Sequence, residues 1–392
     1  MLVVAIVLPC CFEILSLNCG TLMKETLRYL AGIVGPSGYG SKSTAEQVAH
    51  SCSYLVDSQR LTAIITGATS GIGAETARAV AKRGVRVVIP ARDIKKAAEL
   101  KERIRKDNPN AEVILCEIDL SSLASVKRFC NEFLALGLPL NILINNAGIF
   151  SQKLEFSEDK FEMTFATNYL GHYLLTEMLM EKMIETAEQT GIQGRIINLS
   201  SVIHSWVGRD CFHFNQMLDP INYNGTRAYA QSKLATILHA KEIAKQLKAK
   251  NANVTINAVH PGIVKTGIFR AHKGFITGKN LHILVIQILF FSLLPSCSSL
   301  HLSLLYDAKL KKKKKKRGFS SFISFAFKLH ICGASTSCYV ALSPQVEGIS
   351  GKYFVDCNES TCSVLANDES EARRLWRQTR ALIRRRLYQT PC

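Results

Sequence analysis

The sequence predicts an α/β fold, a single doubly wound parallel sheet with helices on both faces. Three observations predict it. Short runs rich in Val, Ile and Leu recur between residues 61 and 262. Stretches of helical periodicity separate them, long enough to cross over between parallel strands. The strand runs are also apolar nearly throughout, as strands covered on both faces must be. A chain of 392 residues with 47% hydrophobic and 20% charged residues can bury such a core. One domain of ~250 residues leaves room for extensions.

The elements follow in order. LTAIITG (61–67) is the first strand, and a helix runs from Ile72 to Lys82. VRVVIPA (85–91) is the second strand, followed by a charged helix through Arg105. EVILCEIDL (112–120) is the third, then a helix to Leu136. LNILINNAG (140–148) is the fourth, and a long helical stretch spans about 160 to 188. RIINLSS (195–201) is the fifth, a helix covers about 227 to 249, and VTINAVHPG (254–262) is the sixth. GASTSCYVALSP (333–344) returns to a helical pattern and GKYFVDC (351–357) to a strand.

This pattern assigns the α/β domain to residues 61–278 and 328–370, after an N-terminal segment 23–60 whose VGPSGYGSKSTA (34–45) reads as a loop. Residues 1–22 are apolar but lack a basic leading region and a clear cleavage site, and they lack the Arg and Ser of a transit peptide. They are expected to be an upstream extension of a core beginning at Met23. Residues 279–327 form an atypical insertion. Its apolar run LHILVIQILFFSLL (281–294) has 14 residues before Pro295; a membrane-spanning helix needs ~20. The lysine run that follows reads either as a membrane-flanking basic cluster or as the translation of an A-rich unspliced message. Residues 371–392 form a basic C-terminal helix.

The net charge of +18 is concentrated. Eight cations lie in Lys309, Lys311 to Lys316 and Arg317, and seven in Arg373, Arg374, Arg377, Arg380, Arg384, Arg385 and Arg386. No broad basic face is needed to explain the total, so nucleic acid is not an expected partner. The thirteen cysteines contain no CxxC and no His/Cys cluster at zinc-ligand spacing. They read as free thiols in a reducing compartment with no metal site, and a regulatory disulfide stays open.

The first strand runs into Thr66-Gly67-Ala68-Thr69-Ser70-Gly71-Ile72-Gly73. Glycines at this spacing, between a strand and a helix, permit a tight turn and let backbone N–H groups approach a pyrophosphate at the positive end of the helix. That makes the expected sheet Rossmann-type. The second strand closes with Ala91-Arg92, and the Arg92 guanidinium suits a 2′-phosphate, as in NADP(H). Lys95 or Lys96 can assist, and Asp93 next door keeps NAD(H) open. Asp119 is placed either to bond an adenine amino group or to cap the helix before Ser121-Ser122.

Tyr229-Ala230-Gln231-Ser232-Lys233 puts a phenol and an ammonium four residues apart on one helix face. A nearby cation lowers the pKa of a phenol, ordinarily ~10, toward that of a usable proton carrier. Lys233 can also hold a cofactor ribose. Ser201 ends the fifth strand, where its hydroxyl can bind a reacting oxygen. Asn168 lies in the long helix after the fourth strand and can brace a water between Lys233 and solvent. Ser201, the turn Asn145-Asn146-Ala147-Gly148 and His260-Pro261-Gly262 all follow strands, at the edge where open α/β sheets bind ligands.

TGATSGIG, NNAG, Asn168, Ser201, YAQSK and HPG occur in the order and spacing of the short-chain dehydrogenase/reductase family, which the chain resembles over about 60–275 and 333–358. The resemblance implies an oxidoreductase with the tetrad Asn168, Ser201, Tyr229 and Lys233. It implies a cofactor held by Gly67, Thr69, Ser70, Gly71, Ile72, Gly73, Arg92, Asp119, Asn146, Ala147, Gly148, Tyr229, Lys233, Pro261 and Gly262. STAEQV (43–48), YAQSKLATILHA (229–240), CYVALSPQVEGISGKYF (338–354) and ANDES (366–370) resemble the plant retinol-dehydrogenase-like branch. Members of that branch are NADP-linked and include short-chain dehydrogenases assigned to the chloroplast-envelope import translocon. The resemblance therefore implies a chloroplast location at the inner envelope, with the cytoplasm as the alternative. The insertion departs from the family, whose members bridge this region with a short helical segment that helps cover the substrate; closure and activity are expected to suffer if it is present.

Two functions follow. One is NADP(H)-dependent interconversion of a carbonyl and an alcohol on an apolar small molecule, with Tyr229 as acid and base. The other is an NADP(H)-sensing binding module of a membrane protein-import complex. ARRLWRQTRALIRRRL (372–387) sets Leu375, Trp376, Leu382, Ile383 and Leu387 near helical spacing. Such basic stretches bind calmodulin or anionic membrane surfaces, or pack as a surface helix. A homo-oligomer is left open. Residues 202–228 are expected to line the substrate pocket, with Trp206, Phe212 and Phe214 as apolar contacts, and the substrate itself is not legible.

Overall fold

Strands form where β-branched runs meet cover on both sides, and the computed structural model follows that pattern. It describes residues 29, 31–52, 61–208, 221, 223–262, 264 and 330–388. Residues 1–22 and 279–327, expected to be an extension and an insertion, lie outside the described residues, as do Phe212 and Phe214.

A short helix α1 (Ala45–Ser51) precedes the sheet. Then β1 (Thr62–Ile65), α2 (Gly71–Ala81), β2 (Arg86–Ala91), α3 (Ile94–Asp107), β3 (Val113–Glu117), α4 (Leu123–Ala135) and β4 (Ile142–Asn145) alternate. They are followed by α5 (Gly171–Thr190), β5 (Gly194–Leu199), α6 (Gly225–Ala249) and β6 (Val254–His260). The chain finishes with α7 (Ser335–Leu342), β7 (Tyr353–Val355), β8 (Asn358–Ser360) and α8 (Glu369–Tyr388).

The strands form one sheet in the order β3-β2-β1-β4-β5-β6-β7-β8. Every pairing from β3 to β7 is parallel. The order reverses between β1 and β4, so the loops after those two strands diverge and leave a crevice. Alternate residues of each strand serve opposite faces. Ile64, Val88, Leu143 and Ile196 pack under α4, α5, α6 and α8, with Phe129, Leu175, Leu234 and Leu375. Ala63, Val87, Ile144 and Ile197 pack under α1, α2, α3 and α7, with Val48, Val80, Leu100 and Val340.

Four local features differ from the expected elements. The helix after β4 does not start near 160. The Glu162 carboxylate caps a turn at Met163–Phe165, accepting from the Thr164 and Phe165 N–H groups (2.9 and 2.6 Å). A wide π turn (Ala166–Leu170) then leads into α5. β5 stops at Leu199, and Ser201 instead caps a 3₁₀ turn (Val202–Trp206). Asp119 does not cap α4; Ser122 does, while the Asp119 Oδ1 accepts from Ser121 N and Oγ (2.9 and 2.7 Å).

The fourth is β8, an antiparallel edge strand on β7. Asp356 and Cys357 make its two-residue turn at φ of 52° and 65°. That is the backbone of a primed hairpin turn, which ordinarily advertises itself by Asn-Gly. Asn358 also clasps the N-terminal loop: its Oδ1 accepts from Ser37 N (3.0 Å) and its Nδ2 donates to Tyr39 O (3.1 Å).

The C-terminal segment is a helix, and its apolar side chains face the fold. Ala372, Leu375, Thr379 and Ile383 are buried, while Trp376, Leu382 and Leu387 pack partly against the same core. Among the described residues no helix is long and apolar enough to cross a membrane.

Candidate active site

A cleft of ≈480 Å³ lies beyond the carboxyl ends of β1 to β6. Its walls come from the loops after those six strands and from Thr226, Tyr229 and Lys233 of α6. Of the residues singled out in the sequence, Gly67, Thr69 to Gly73, Arg92, Asp119, Asn146 to Gly148, Ser201, Tyr229, Lys233, Pro261 and Gly262 all border it. Asn168 lies just behind, beside the lining residue Thr167.

The turn after β1 is a cradle only glycine can make. Gly67 has φ +64°, and a Cβ there would stand 2.6 Å from the Ala147 Cα. A Cβ on Gly73 would stand 2.5 Å from the Gly67 carbonyl oxygen. The N-cap of α2, Ser70, makes no side-chain capping bond, so the first-turn N–H groups remain for an anion. Open backbone amides, a helix dipole and missing side chains fit a dinucleotide pyrophosphate. Asn146 borders the cleft but turns its amide inward, donating to the Thr66 and Gly67 carbonyls (2.7 and 3.2 Å). It shapes the turn.

Past β2 the two candidate ribose contacts differ. The Asp93 carboxylate caps α3, accepting from Lys96 N (3.1 Å), and pairs with the Lys96 ammonium (2.8 Å). Arg92 is exposed and makes no hydrogen bond or ion pair among the described residues. Lys95 does not border the cleft. Asp119, half-buried, has its Oδ1 committed to Ser121 and leaves Oδ2 free of bonds within the described residues.

At the other end, α6 brings Tyr229 and Lys233 to the same wall. The half-buried Tyr229 ring meets Phe150 edge-on, with centroids 5.5 Å apart. The Lys233 ammonium sits 5.6 Å from the centroid of the Tyr229 ring and donates to the Leu199 carbonyl (2.9 Å). Burial pushes the Lys233 amine down to about 8. Burial also pushes the Tyr229 phenol above its ordinary range, contrary to the lowering expected from the lysine. Desolvation of the phenolate outweighs attraction to an ammonium turned toward Leu199.

Asn168 is locked rather than free. Its Oδ1 accepts from Ile149 N (2.8 Å), and its Nδ2 donates to Ile149 O and Ser232 Oγ (both 3.0 Å). Ser201 is half-buried, and its carbonyl accepts from His204 Nδ1 (2.7 Å). The His204 Nε2 accepts from Ser363 N (3.1 Å), so the ring is neutral with its proton on Nδ1, and burial holds it down at about 4. Among the described residues no group of three His, Cys, Asp or Glu side chains is placed to hold a metal.

Thr66, His172, His204 and Ser232 support this site and were missed in the sequence. One signal was present: His172 follows Asn168 by four residues, the spacing of helix-face neighbours. For the other three, the partner lies far off in the chain or the motif is already accounted for by glycine.

The chain is similar to several known proteins. The sequence model of the short chain dehydrogenases matches residues 61–211. A protein of Brassica napus, "Short-chain dehydrogenase TIC 32 B, chloroplastic", is 43% identical over 352 residues, spanning 90% of this chain and 96% of that one. The human "Retinol dehydrogenase 14" is 36% identical over 330 residues, spanning 80% and 84%. Among solved structures, an uncharacterized protein of Mycobacterium paratuberculosis superimposes with a TM-score of 0.55 at 25% identity, covering 83% of this chain and 94% of its own. An actinorhodin polyketide ketoreductase with NADPH shares the fold, with a TM-score of 0.51 at 20% identity, covering 79% and 98%.

Proposed function

This chain belongs to the short-chain dehydrogenase family of NAD(P)-dependent oxidoreductases, and from that premise we propose that it interconverts a carbonyl and an alcohol on an apolar small molecule, using NADP(H). The observation that carries the reading is that Ser201, Tyr229 and Lys233 share one cleft with the glycine cradle. The cradle of Gly67, Gly71 and Gly73 and the amides opening α2 would hold the pyrophosphate. When bound, the nicotinamide ring gives or takes the hydride. The chain's own groups handle the proton. Tyr229 donates its phenolic proton to the substrate oxygen in reduction and recovers one in oxidation, and the Ser201 hydroxyl donates a hydrogen bond to that same oxygen. Lys233, drawn off the Leu199 carbonyl, supplies the positive charge that the phenolate needs. Phe150, Ile149 and Ile203 give the substrate end its apolar lining.

The preference for NADP(H) rests on charge. Arg92 faces the cleft unpaired, whereas the Asp93 carboxylate is bound to Lys96. A 2′-phosphate meets a free cation there.

Titration of the full chain with NADPH and NADH, followed by a panel of apolar aldehydes and ketones read by NADPH absorbance, tests both points. Tyr229→Phe is expected to abolish turnover and leave the NADPH Kd nearly unchanged; equal losses of binding and rate would contradict the role of Tyr229. Arg92→Ala removes charged hydrogen bonds worth about 1.5–3 kcal/mol, which weakens NADPH by roughly tenfold to a hundredfold and leaves NADH alone. Parallel losses for the two dinucleotides would remove Arg92 from specificity.

A second reading makes the same cleft a sensor of NADP(H) state within a chloroplast import complex. It draws on the likeness to the Brassica napus relative, named chloroplastic, and on the exposed arginines of α8. Calmodulin or an anionic membrane surface would then meet those arginines alone, because the apolar side of α8 is buried in the fold. Dinucleotide binding without turnover on any carbonyl, together with NADPH-dependent retention on chloroplast envelope membranes, would favour this version.

A further inference from the structure

We propose that His172 is a positioning residue that ties the glycine turn to the segment carrying Asn168, so that dinucleotide seating and the Tyr229–Lys233 wall are set by one hydrogen-bonded path. The proposal rests on the dinucleotide reading of the cleft.

His172 lies in the first turn of α5 and is 3% exposed. Its Nδ1 is 3.0 Å from the Asn168 carbonyl oxygen and its Nε2 is 2.9 Å from Thr66 Oγ1. A peptide carbonyl can only accept, so Nδ1 carries the proton. In the neutral ring Nε2 is then an acceptor, and the Thr66 hydroxyl donates to it at 2.9 Å in preference to the Ile144 carbonyl at 3.4 Å. Burial favours that neutral ring, holding His172 down at about 4.

The path extends at both ends with every donor assigned. The Thr66 oxygen accepts from Asn146 N and Ala147 N (3.0 Å each), so its one donor and two acceptor positions are all used. Thr66 is the last residue before Gly67, and Asn146 clasps the same turn through its side chain. Beyond Asn168, its Nδ2 donates to Ser232 Oγ (3.0 Å), and Ser232 Oγ donates to the Tyr229 carbonyl (2.7 Å). All the donors point one way, from the β4 loop to α6. The path enters Asn168 at its carbonyl and leaves from its side chain, within the π turn Ala166–Leu170. Turns of that kind shift backbone pairing by one residue and recur at functional sites. His172 thus bonds both Thr66 and the Asn168 carbonyl through the two nitrogens of one ring.

Two substitutions cut the path at different points. An Asn amide reaches about as far as Nδ1, and a Gln amide about as far as Nε2. His172→Asn keeps a donor for Asn168 and loses Thr66; His172→Gln keeps an acceptor for Thr66 and loses Asn168. With the full chain, His172→Asn is expected to raise the NADPH Kd about tenfold while kcat at saturating NADPH stays within about threefold. His172→Gln is expected to do the reverse, lowering kcat about tenfold with the Kd within about threefold. His172→Leu loses both. If Asn and Gln shift Kd and kcat in the same proportion as Leu, or shift neither, His172 is packing only and the proposal falls.

A readout on the unsubstituted chain guards against variants that do not fold. Long-range ¹H–¹⁵N correlation of labelled histidine should show His172 protonated on Nδ1, with both ring nitrogens shifting when NADPH is added. An Nε2–H ring, or nitrogens indifferent to NADPH, overturns the proposal. If the unsubstituted chain binds neither NADPH nor NADH, the dinucleotide reading fails and the proposed link with it. Binding that persists while the variants fail to split sinks the proposal alone.

Discussion

Lys233 illustrates what burying an amine costs the fold. Its amine, ordinarily at 10.5, is pushed down to about 8 by burial. The unfolded chain therefore holds this proton up to about pH 10.5, whereas the folded chain releases it from about pH 8. Between those values the unfolded state binds more protons, so stability rises with pH; below about 8 the full penalty applies. The displacement corresponds to about 3 kcal/mol. Lys233→Met is expected to raise stability at pH 7 by up to about 3 kcal/mol, to flatten its pH dependence across that window, and to abolish turnover. Thermal unfolding at pH 7 and 10 checks this; no gain at pH 7 would mean that the bond to the Leu199 carbonyl offsets the desolvation. That Tyr229 and Lys233 share one wall of the cleft was legible because residues four apart on a helix lie on one face. The bond between Thr66 and His172 spans 106 residues, and nothing in either residue's neighbourhood in the chain announces it.

At the level of elements, α8 separates packing from charge. Leu375 is 1% exposed in the core beneath the sheet, whereas Arg377 is exposed. Leu375→Ala is expected to cost about 2–5 kcal/mol and Arg377→Ala less than about 0.5 kcal/mol. Urea unfolding of the two variants checks the contrast, and similar losses would mean that the helix is held by its arginines. The same element shows what periodicity can convey. It identified a helix with an apolar stripe, but not whether the stripe met this fold or another molecule. The strands were legible for a different reason, since a run apolar on both sides has one comfortable environment. β8 was not, because Asp356-Cys357 adopts positive φ without the glycine that marks such turns. Nor was the π turn, since a one-residue shift in backbone bonding leaves the hydrophobic pattern nearly unchanged.

At the scale of the whole molecule, the buried rings of His172, His204 and His239 contribute to the response to acid. Burial holds His172 and His204 down at about 4 and His239 at about 3, against an ordinary 6.5. Their neutral forms are fully present above pH 6.5. As pH falls from 6.5 toward 4, the unfolded chain takes up protons that the folded chain refuses, and stability is lost. The Glu177 carboxyl, raised by burial, works against the histidines, so chemical unfolding at a series of pH values should give a positive slope of fewer than three protons in that interval; a slope of zero or below would mean that these rings are already charged in the fold. The fold class was legible, though the strand order, and with it the crevice between β1 and β4, came only with the structure. The hairpin at Asp356-Cys357 reaches further than its size suggests. It folds the rim of the sheet back on itself after three residues, and those residues, Asn358, Glu359 and Ser360, are polar, with Asn358 already gripping the N-terminal loop. A foreign β-strand finds little template on that side, which discourages stacking into aggregates where such a protein is crowded.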